Sequence, residues 1–304
     1  MKLRQIYIRG MLMGAADLVP GISGGTVAFI TGIYDRLINS LRSFDFKLWA
    51  VWKKEGWQGL VKAVDAVFLI TLLAGILSSV LLLSHLVSWL LVTYPLHLNG
   101  LFFGLVAGSA VIISREMGGW TPSQLFFMVL GATLATFVSL FLPNLSNITP
   151  LTFFIAGMIA ICAMILPGIS GSFLLLTLGL YGPLVEAVKT LNWALLAAFA
   201  AGAGSGLLAF SHLLGWLFDK YKPATFAVFF GFVVASLKHI WPWQFLTRYK
   251  IDEKGKMLPL DTQVLPPWKF TEITSQPSYS LAVISLMVFG LLLVIYVSSK
   301  NKPA

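Results

Sequence analysis

The same interruption stands twice in an otherwise apolar chain. Leu18-Val19-Pro20-Gly21-Ile22-Ser23-Gly24-Gly25-Thr26 and Ile165-Leu166-Pro167-Gly168-Ile169-Ser170-Gly171-Ser172-Phe173 share a Pro-Gly-Ile-Ser-Gly core, 147 residues apart. Proline lacks an amide hydrogen and glycine adopts dihedrals that other residues avoid, so Pro20-Gly21 and Pro167-Gly168 should each stop a helix. Ser23 and Ser170 are good caps for the helix that restarts. A break inside an apolar segment frees backbone groups, which then need protein or water beside them.

The match extends beyond the break. At the same spacing Ala16 meets Ala163, Gly32 meets Gly179, Tyr34 meets Tyr181 and Leu37 meets Leu184. Farther on, Ser84-His85-Leu86 and Trp89 match Ser211-His212-Leu213 and Trp216, now 127 residues apart. Tyr94 then meets Tyr221, and Phe102-Phe103-Gly104 meets Phe229-Phe230-Gly231. The change of spacing marks an insertion in the first half, near Asp45 to Lys62. Three matches in one order indicate an internal duplication.

Composition puts both copies in a membrane. Of 304 residues, 58% are hydrophobic and 11% charged, and mean hydropathy is +0.86. Soluble domains carry about a quarter charged residues, so a soluble globular protein, a disordered chain and a disulfide scaffold are excluded. One cysteine, Cys162, allows no disulfide framework and no cysteine-rich metal site. The basic start, Met1 to Pro20, lacks a clean cleavage pattern and reads as mature protein. Each half reads as one broken segment and three apolar helices, near 64–92, 97–114 and 122–142, then near 193–218, 224–240 and 279–298. Residues 241–278 carry five prolines and read as a polar loop. Gly100, Gly104 and Gly108, at helical spacing, suit close helix packing.

The net charge of +9 reads as orientation charge rather than a nucleic-acid surface. Lys2, Arg4 and Arg9 precede the first break; Arg36, Arg42, Lys47, Lys53, Lys54 and Lys62 follow it. Basic residues on both flanks put both flanks in the cytoplasm, which requires a re-entrant hairpin. Three crossings then place the second hairpin on the outer side, and both termini inside. Loop 241–278 falls outside despite its five basic residues. The fold expected is an all-α polytopic membrane protein of two inverted repeats, 1–148 and 149–304. Each has a re-entrant helical hairpin (near 3–41 and 151–190) plus three transmembrane helices. Trp49, Trp52 and Trp57, mixed with lysines, suggest an interfacial helix near 43–60. Trp89, Trp216, Trp241 and Trp243 suit an aromatic belt.

Inverted repeats with interrupted helices form sites at the membrane midplane. Two restarting helices would bring two N-termini together, where amides and dipoles attract an anion such as phosphate. Ser23, Gly24, Gly25, Thr26, Ser170, Gly171 and Ser172 are the candidate contacts; the alternative is a pair of tight turns with no ligand. Asp17, whose repeat partner is Met164, is an acid in an apolar run. It either carries a proton or cation or pairs with Arg9. Glu186 is a candidate at the mouth of the second hairpin or a solvated carboxylate. His85 and His212 are equivalent, for packing or proton relay. Arg36 and Arg115 either draw phosphate from the cytoplasm or set orientation. No metal site is indicated.

The run Met13-Gly14-Ala15-Ala16-Asp17-Leu18-Val19-Pro20-Gly21-Ile22-Ser23-Gly24-Gly25-Thr26, with Gly32-Ile33-Tyr34 after it, closely resembles the bacterial PopT-type polyprenyl-phosphate translocase family. The resemblance covers nearly the whole chain, the second break included. It implies a flippase of the bacterial cytoplasmic membrane that returns undecaprenyl phosphate, the carrier of envelope polymers, from the outer to the cytoplasmic leaflet. The partners implied are this lipid and the surrounding membrane lipids. No cofactor is implied beyond a coupling proton or sodium ion. A small-anion transporter or channel would use the same helix ends. Undecaprenyl-pyrophosphate phosphatases also have opposed hairpins, but their motif has arginine after the serine, where this chain has Gly24 and Gly171. Without that clamp and paired glutamates, hydrolysis is hard to support.

Overall fold

The computed structural model describes the chain apart from residues 19–22, 46, 142–147, 168–170, 172–173, 176–177, 252–256 and 302–304. Helices dominate. The first half contains α1 (Leu3–Asp17), α2 (Gly24–Ile30), α3 (Tyr34–Arg42), α4 (Lys47–Ala63), α5 (Ala66–Thr93), α6 (Pro95–Glu116) and α7 (Pro122–Phe141). The second contains α8 (Pro150–Ile165), α9 (Tyr181–Lys189), α10 (Trp193–Ile240), strands β1 (Gln244–Ile251) and β2 (Met257–Val264), α11 (Pro267–Thr274) and α12 (Ser280–Asn301). Among the described residues four helical stretches are long and apolar enough to cross a membrane: within Lys47–Thr93, Pro95–Glu116, within Trp193–Ile240, and Ser280–Ser299. The expected helices at 64–92, 97–114, 122–142, 193–218, 224–240 and 279–298 are all present.

The long helix α10 is two helices in one. Straight, 48 residues would run about 72 Å, far beyond a hydrocarbon core of about 30 Å. It breaks at Tyr221, with φ −134° and ψ 36°. The counterpart Tyr94, between α5 and α6, has φ −131° and ψ 50°. A proline follows each tyrosine within two residues. Each tyrosine also meets a tryptophan edge-on, Trp89 with Tyr94 at 5.7 Å and Trp216 with Tyr221 at 5.6 Å. The duplicated sequence therefore makes the same turn twice.

Small residues set the helix contacts. Gly10 of α1 lies on Leu72 and Gly75 of α5, and Gly75 lies on the Tyr7 carbonyl. In the second half Gly157 of α8 lies on the Phe199 carbonyl of α10, and Gly202 on that of Phe154. Gly157 and Gly202 are the repeat counterparts of Gly10 and Gly75. The other contacts cross between halves. Gly100, Gly104 and Gly108 of α6 pack on Val283, Met287 and Val294 of α12, as their spacing suggested. Gly231 of α10, the counterpart of Gly104, packs on Met128 of α7, and Gly131 of α7 on Val228. A side chain at any of these glycines would meet a neighbouring backbone or branched side chain, so glycine allows the axes to approach.

Two expectations fail in the segment 241–278. It is not a plain loop: β1 and β2 form an antiparallel hairpin, with Gln244 opposite Val264 and Ile251 opposite Met257, followed by α11. Trp243 is not a belt residue either. It is 1% exposed, packed with Leu265, Phe270 and Val283, and its Nε1 donates to the Ser278 carbonyl at 2.8 Å. Trp241 Nε1 donates to the Leu265 carbonyl. Two tryptophans and Phe270 thus give the segment its own small core against α12. The prolines misled because proline is compatible with a two-stranded ribbon, whose strands are both edges.

Helix α4 starts and ends slightly later than the expected 43–60. It bends at Gly56, whose φ of 63° suits glycine. Trp49, Trp52 and Trp57 are all exposed, and the Lys53 ammonium lies 3.6 Å over the Trp49 ring.

Candidate functional site

Each broken segment folds back on itself. Helix α1 runs beside α5 in the same direction: Gly10 is level with Leu72, Gly14 with Ile76 and Ser79. Asp17 therefore stands near the middle of α5. The chain then returns through α2 and α3, and Arg36 of α3 clasps Asp65, just before α5, through Nε at 2.6 Å and Nη2 at 3.0 Å. Both ends of the first hairpin thus lie at the level where α5 starts. The second behaves alike. Phe153 of α8, Ala187 of α9 and Phe199 of α10 share one cluster, while the far end of α8 carries the break.

The two breaks meet. Ser23 is 1% exposed, and its hydroxyl donates to the Met164 carbonyl at 2.8 Å across the halves. The Tyr34 hydroxyl donates to the Ile165 carbonyl at 3.1 Å. Gly25 presses on the same two carbonyls so closely that no side chain fits there. These carbonyls end α8, where the broken helix lacks its own donors. The first hairpin supplies them.

The start of α2 is satisfied from within the chain. The Gly24 amide donates to Asp17 Oδ1 at 2.6 Å, and the Gly25 amide to Ser23 Oγ at 3.1 Å. The Thr26 amide donates to the Ser23 carbonyl. Asp17 thus holds the place that the sequence suggested for an external anion. It does so in preference to Arg9, which α1 holds about 12 Å back along its axis and whose Nη1 reaches the Met1 sulfur. In the second hairpin the geometry repeats with different chemistry. Gly24 abuts the Asp17 carboxylate; its counterpart Gly171 abuts the Met164 side chain. Among the described residues, Gly24 thus sits on an acid and Gly171 on a thioether.

The remaining candidates separate. Arg36 is engaged with Asp65 and stacked 4.3 Å over Phe68, so it fixes α3 to α5. Arg115 is exposed at the end of α6, and Glu186 is exposed on α9, away from the breaks. His85 is exposed; His212 is half-buried with Nδ1 2.8 Å from its own helix's Leu208 carbonyl. The two histidines are equivalent in sequence and unlike in surroundings. Thr26 is buried near the tip, and Pro167 is buried at the end of α8. Pro20, Gly21, Gly168, Ser170 and Ser172 lie outside the described residues. No cluster of three metal-ligating side chains occurs among the described residues. Sequence reasoning missed the Tyr34–Ile165 contact and the Arg42–Asp219 pair at 2.6 Å. The repeated tyrosine was visible, but not the carbonyl it would reach.

The undecaprenyl phosphate translocase-like family model matches residues 13–258. A polyprenyl-phosphate transporter of Vibrio cholerae is 43% identical over 289 residues, covering 95% of this chain and 94% of the relative. A polyprenyl-phosphate transporter of Staphylococcus aureus is 32% identical over 253 residues, covering 77% and 85%. Both relatives are named as transporters rather than enzymes. No solved structure matches. With a family match that spans both breaks and a relative aligned over nearly its whole length, the chain belongs to the undecaprenyl phosphate translocase-like family of membrane transport proteins.

Proposed function

We propose that this protein moves undecaprenyl phosphate from the outer to the cytoplasmic leaflet of a bacterial inner membrane, returning the lipid carrier for envelope synthesis. The observation that carries the reading is the meeting of the two breaks: Ser23 on Met164, Gly25 on Ile165, and Asp17 on Gly24. A phosphate head group crossing a bilayer needs polar partners at mid-depth, because an unpaired charge in hydrocarbon is costly. We take the backbone groups and hydroxyls of Ser23, Gly24, Gly25, Thr26 and Gly171 to meet the head group there, and assign the same role to Ser170 and Ser172 from the repeated motif alone. The prenyl tail stays in lipid, outside the helices.

The chain is read as two inverted repeats. That reading is supported by the paired contacts. Helix α6 runs beside α12 in the same direction, and α7 meets the second part of α10 through the matching glycine, Gly231. Successive spans alternate in direction, so α6 and its counterpart in α10 oppose one another. Both termini then face the cytoplasm, α4 lies on the cytoplasmic interface, and the β-hairpin segment lies outside.

Asp17 divides the labour. As a carboxylate it accepts from Gly24 and competes with phosphate for that donor. Once protonated or bound to a cation it releases the amide and removes a repelling charge, so head group and coupling ion enter together. The test is leaflet accessibility of undecaprenyl phosphate in cells with and without the protein. Accumulation in the outer leaflet on depletion is expected; an unchanged distribution would refute the reading.

A further inference from the structure

The hairpins are alike in sequence but not in how they are seated. Tyr34, at the start of α3, is 2% exposed, whereas its counterpart Tyr181, at the start of α9, is 42% exposed. The Tyr34 hydroxyl donates to Ile165, and its ring lies edge-on to Phe218 and Phe229 of α10. At the other end of α3, Arg42 lies across Gly215, and its guanidinium pairs with Asp219 at 2.6 Å. The first half's α3 is thereby clamped onto the turn at Tyr221 in the second half. The corresponding seat for Tyr181 in the first half consists of the Leu18 carbonyl, Leu91 and Phe102. Val92 stands there in place of Asp219 and is 84% exposed.

We infer that α3 and α9 are alternate gates of one transporter, and that this structure holds the α3 gate closed on its aromatic seat and the α9 gate open. The inference rests on the inverted-repeat reading above. In the opposite state Tyr181 donates to Leu18 and packs on Leu91 and Phe102, while Tyr34 leaves its seat. Two halves of equivalent sequence reach both states by exchanging conformations about a fixed site. A packed seat is either filled or empty, so the exchange is between discrete states.

The gates differ in one respect. The α3 gate carries the Arg42–Asp219 pair, whereas Val92 denies the α9 gate an equivalent. The pair's side chains are 37% and 61% exposed, so its bias toward α3 closure is small, about two- to fivefold in population. In the proposed orientation the α3 gate faces the cytoplasm. The resting protein then presents its crossing point to the outer leaflet, where the lipid is collected.

The test uses a Cys162→Ala background, membranes and a short bifunctional thiol reagent, with cross-links read by mass spectrometry. One protein carries Arg42→Cys with Asp219→Cys, the other Tyr181→Cys with Phe102→Cys. Both pairs should link. Adding Arg42→Ala to the second should speed its linking about two- to fivefold. Adding Val92→Asp instead, which gives the α9 gate a carboxylate at the position Asp219 holds in the α3 gate, should also speed it. Complete linking of the first pair with none of the second, even with Val92→Asp, would overturn the inference. Unchanged linking in both Arg42→Ala and Val92→Asp would overturn the role of the ion pair. Because the readout is the cross-link, a protein that gates in this way but carries another anion passes here and fails the leaflet measurement.

Discussion

Ser23 and Met164 join the two halves where both helices break. The Ser23 hydroxyl donates across to the Met164 carbonyl and accepts from its own Gly25 amide, so one side chain satisfies two backbone groups. Ser23→Ala leaves both without that partner, at a cost of about 1–3 kcal/mol for each buried group left unsatisfied. The expected result is a thermal midpoint in detergent lowered by several degrees, with Ser23→Thr recovering part of it. An unchanged midpoint for Ser23→Ala would show that the junction carries no stability.

Asp17→Asn tests the competing carboxylate. The amide keeps an oxygen to accept from Gly24, so the hairpin should stay folded. The residue can no longer take up or release a proton. Translocation should fall at least tenfold and become insensitive to pH. Full activity with the wild-type pH profile would remove Asp17 from the mechanism.

The glycine contacts give a paired prediction. A methyl group at Gly75 meets the Tyr7 carbonyl, and one at its counterpart Gly202 meets the Phe154 carbonyl. Gly75→Ala and Gly202→Ala should each cost about 1–3 kcal/mol by overpacking. Gly182→Ala meets nothing nearby and should be neutral or slightly stabilising. Thermal melts of the three proteins decide it. A large loss at Gly75 with none at Gly202 would break the equivalence of the two contacts.

The broken segments and the six longer apolar helices were legible because they rest on local rules: Pro-Gly breaks and apolar length. The partnering was not. That Ser23 would reach Met164, or Tyr34 reach Ile165, depends on how two distant halves dock, and hydropathy carries no such information. Asp17 was visible as an acid in an apolar run, but its capping of Gly24 depends on the fold of the break. The segment 241–278 was misread because prolines and charges outweighed the apolar residues Trp241, Trp243, Leu265 and Phe270, which only the folded chain collects into one core.

That small core gives another prediction. Trp243→Ala removes the largest buried side chain of the segment, and such a truncation costs about 3–5 kcal/mol. Limited proteolysis should then cut within 244–278 faster than in the wild type, while the Ser23–Met164 junction remains protected. Unchanged proteolysis would mean that Trp243 does not hold the segment.

The central claim is that the meeting breaks form a passage for a prenyl phosphate head group. Purified protein in vesicles carrying labelled undecaprenyl phosphate tests it most directly, with a head-group reagent added outside. The expected result is that the protein renders the inner-leaflet lipid reactive, and that Asp17→Asn slows this. Flux of inorganic phosphate or chloride with no movement of the prenyl lipid would contradict the account.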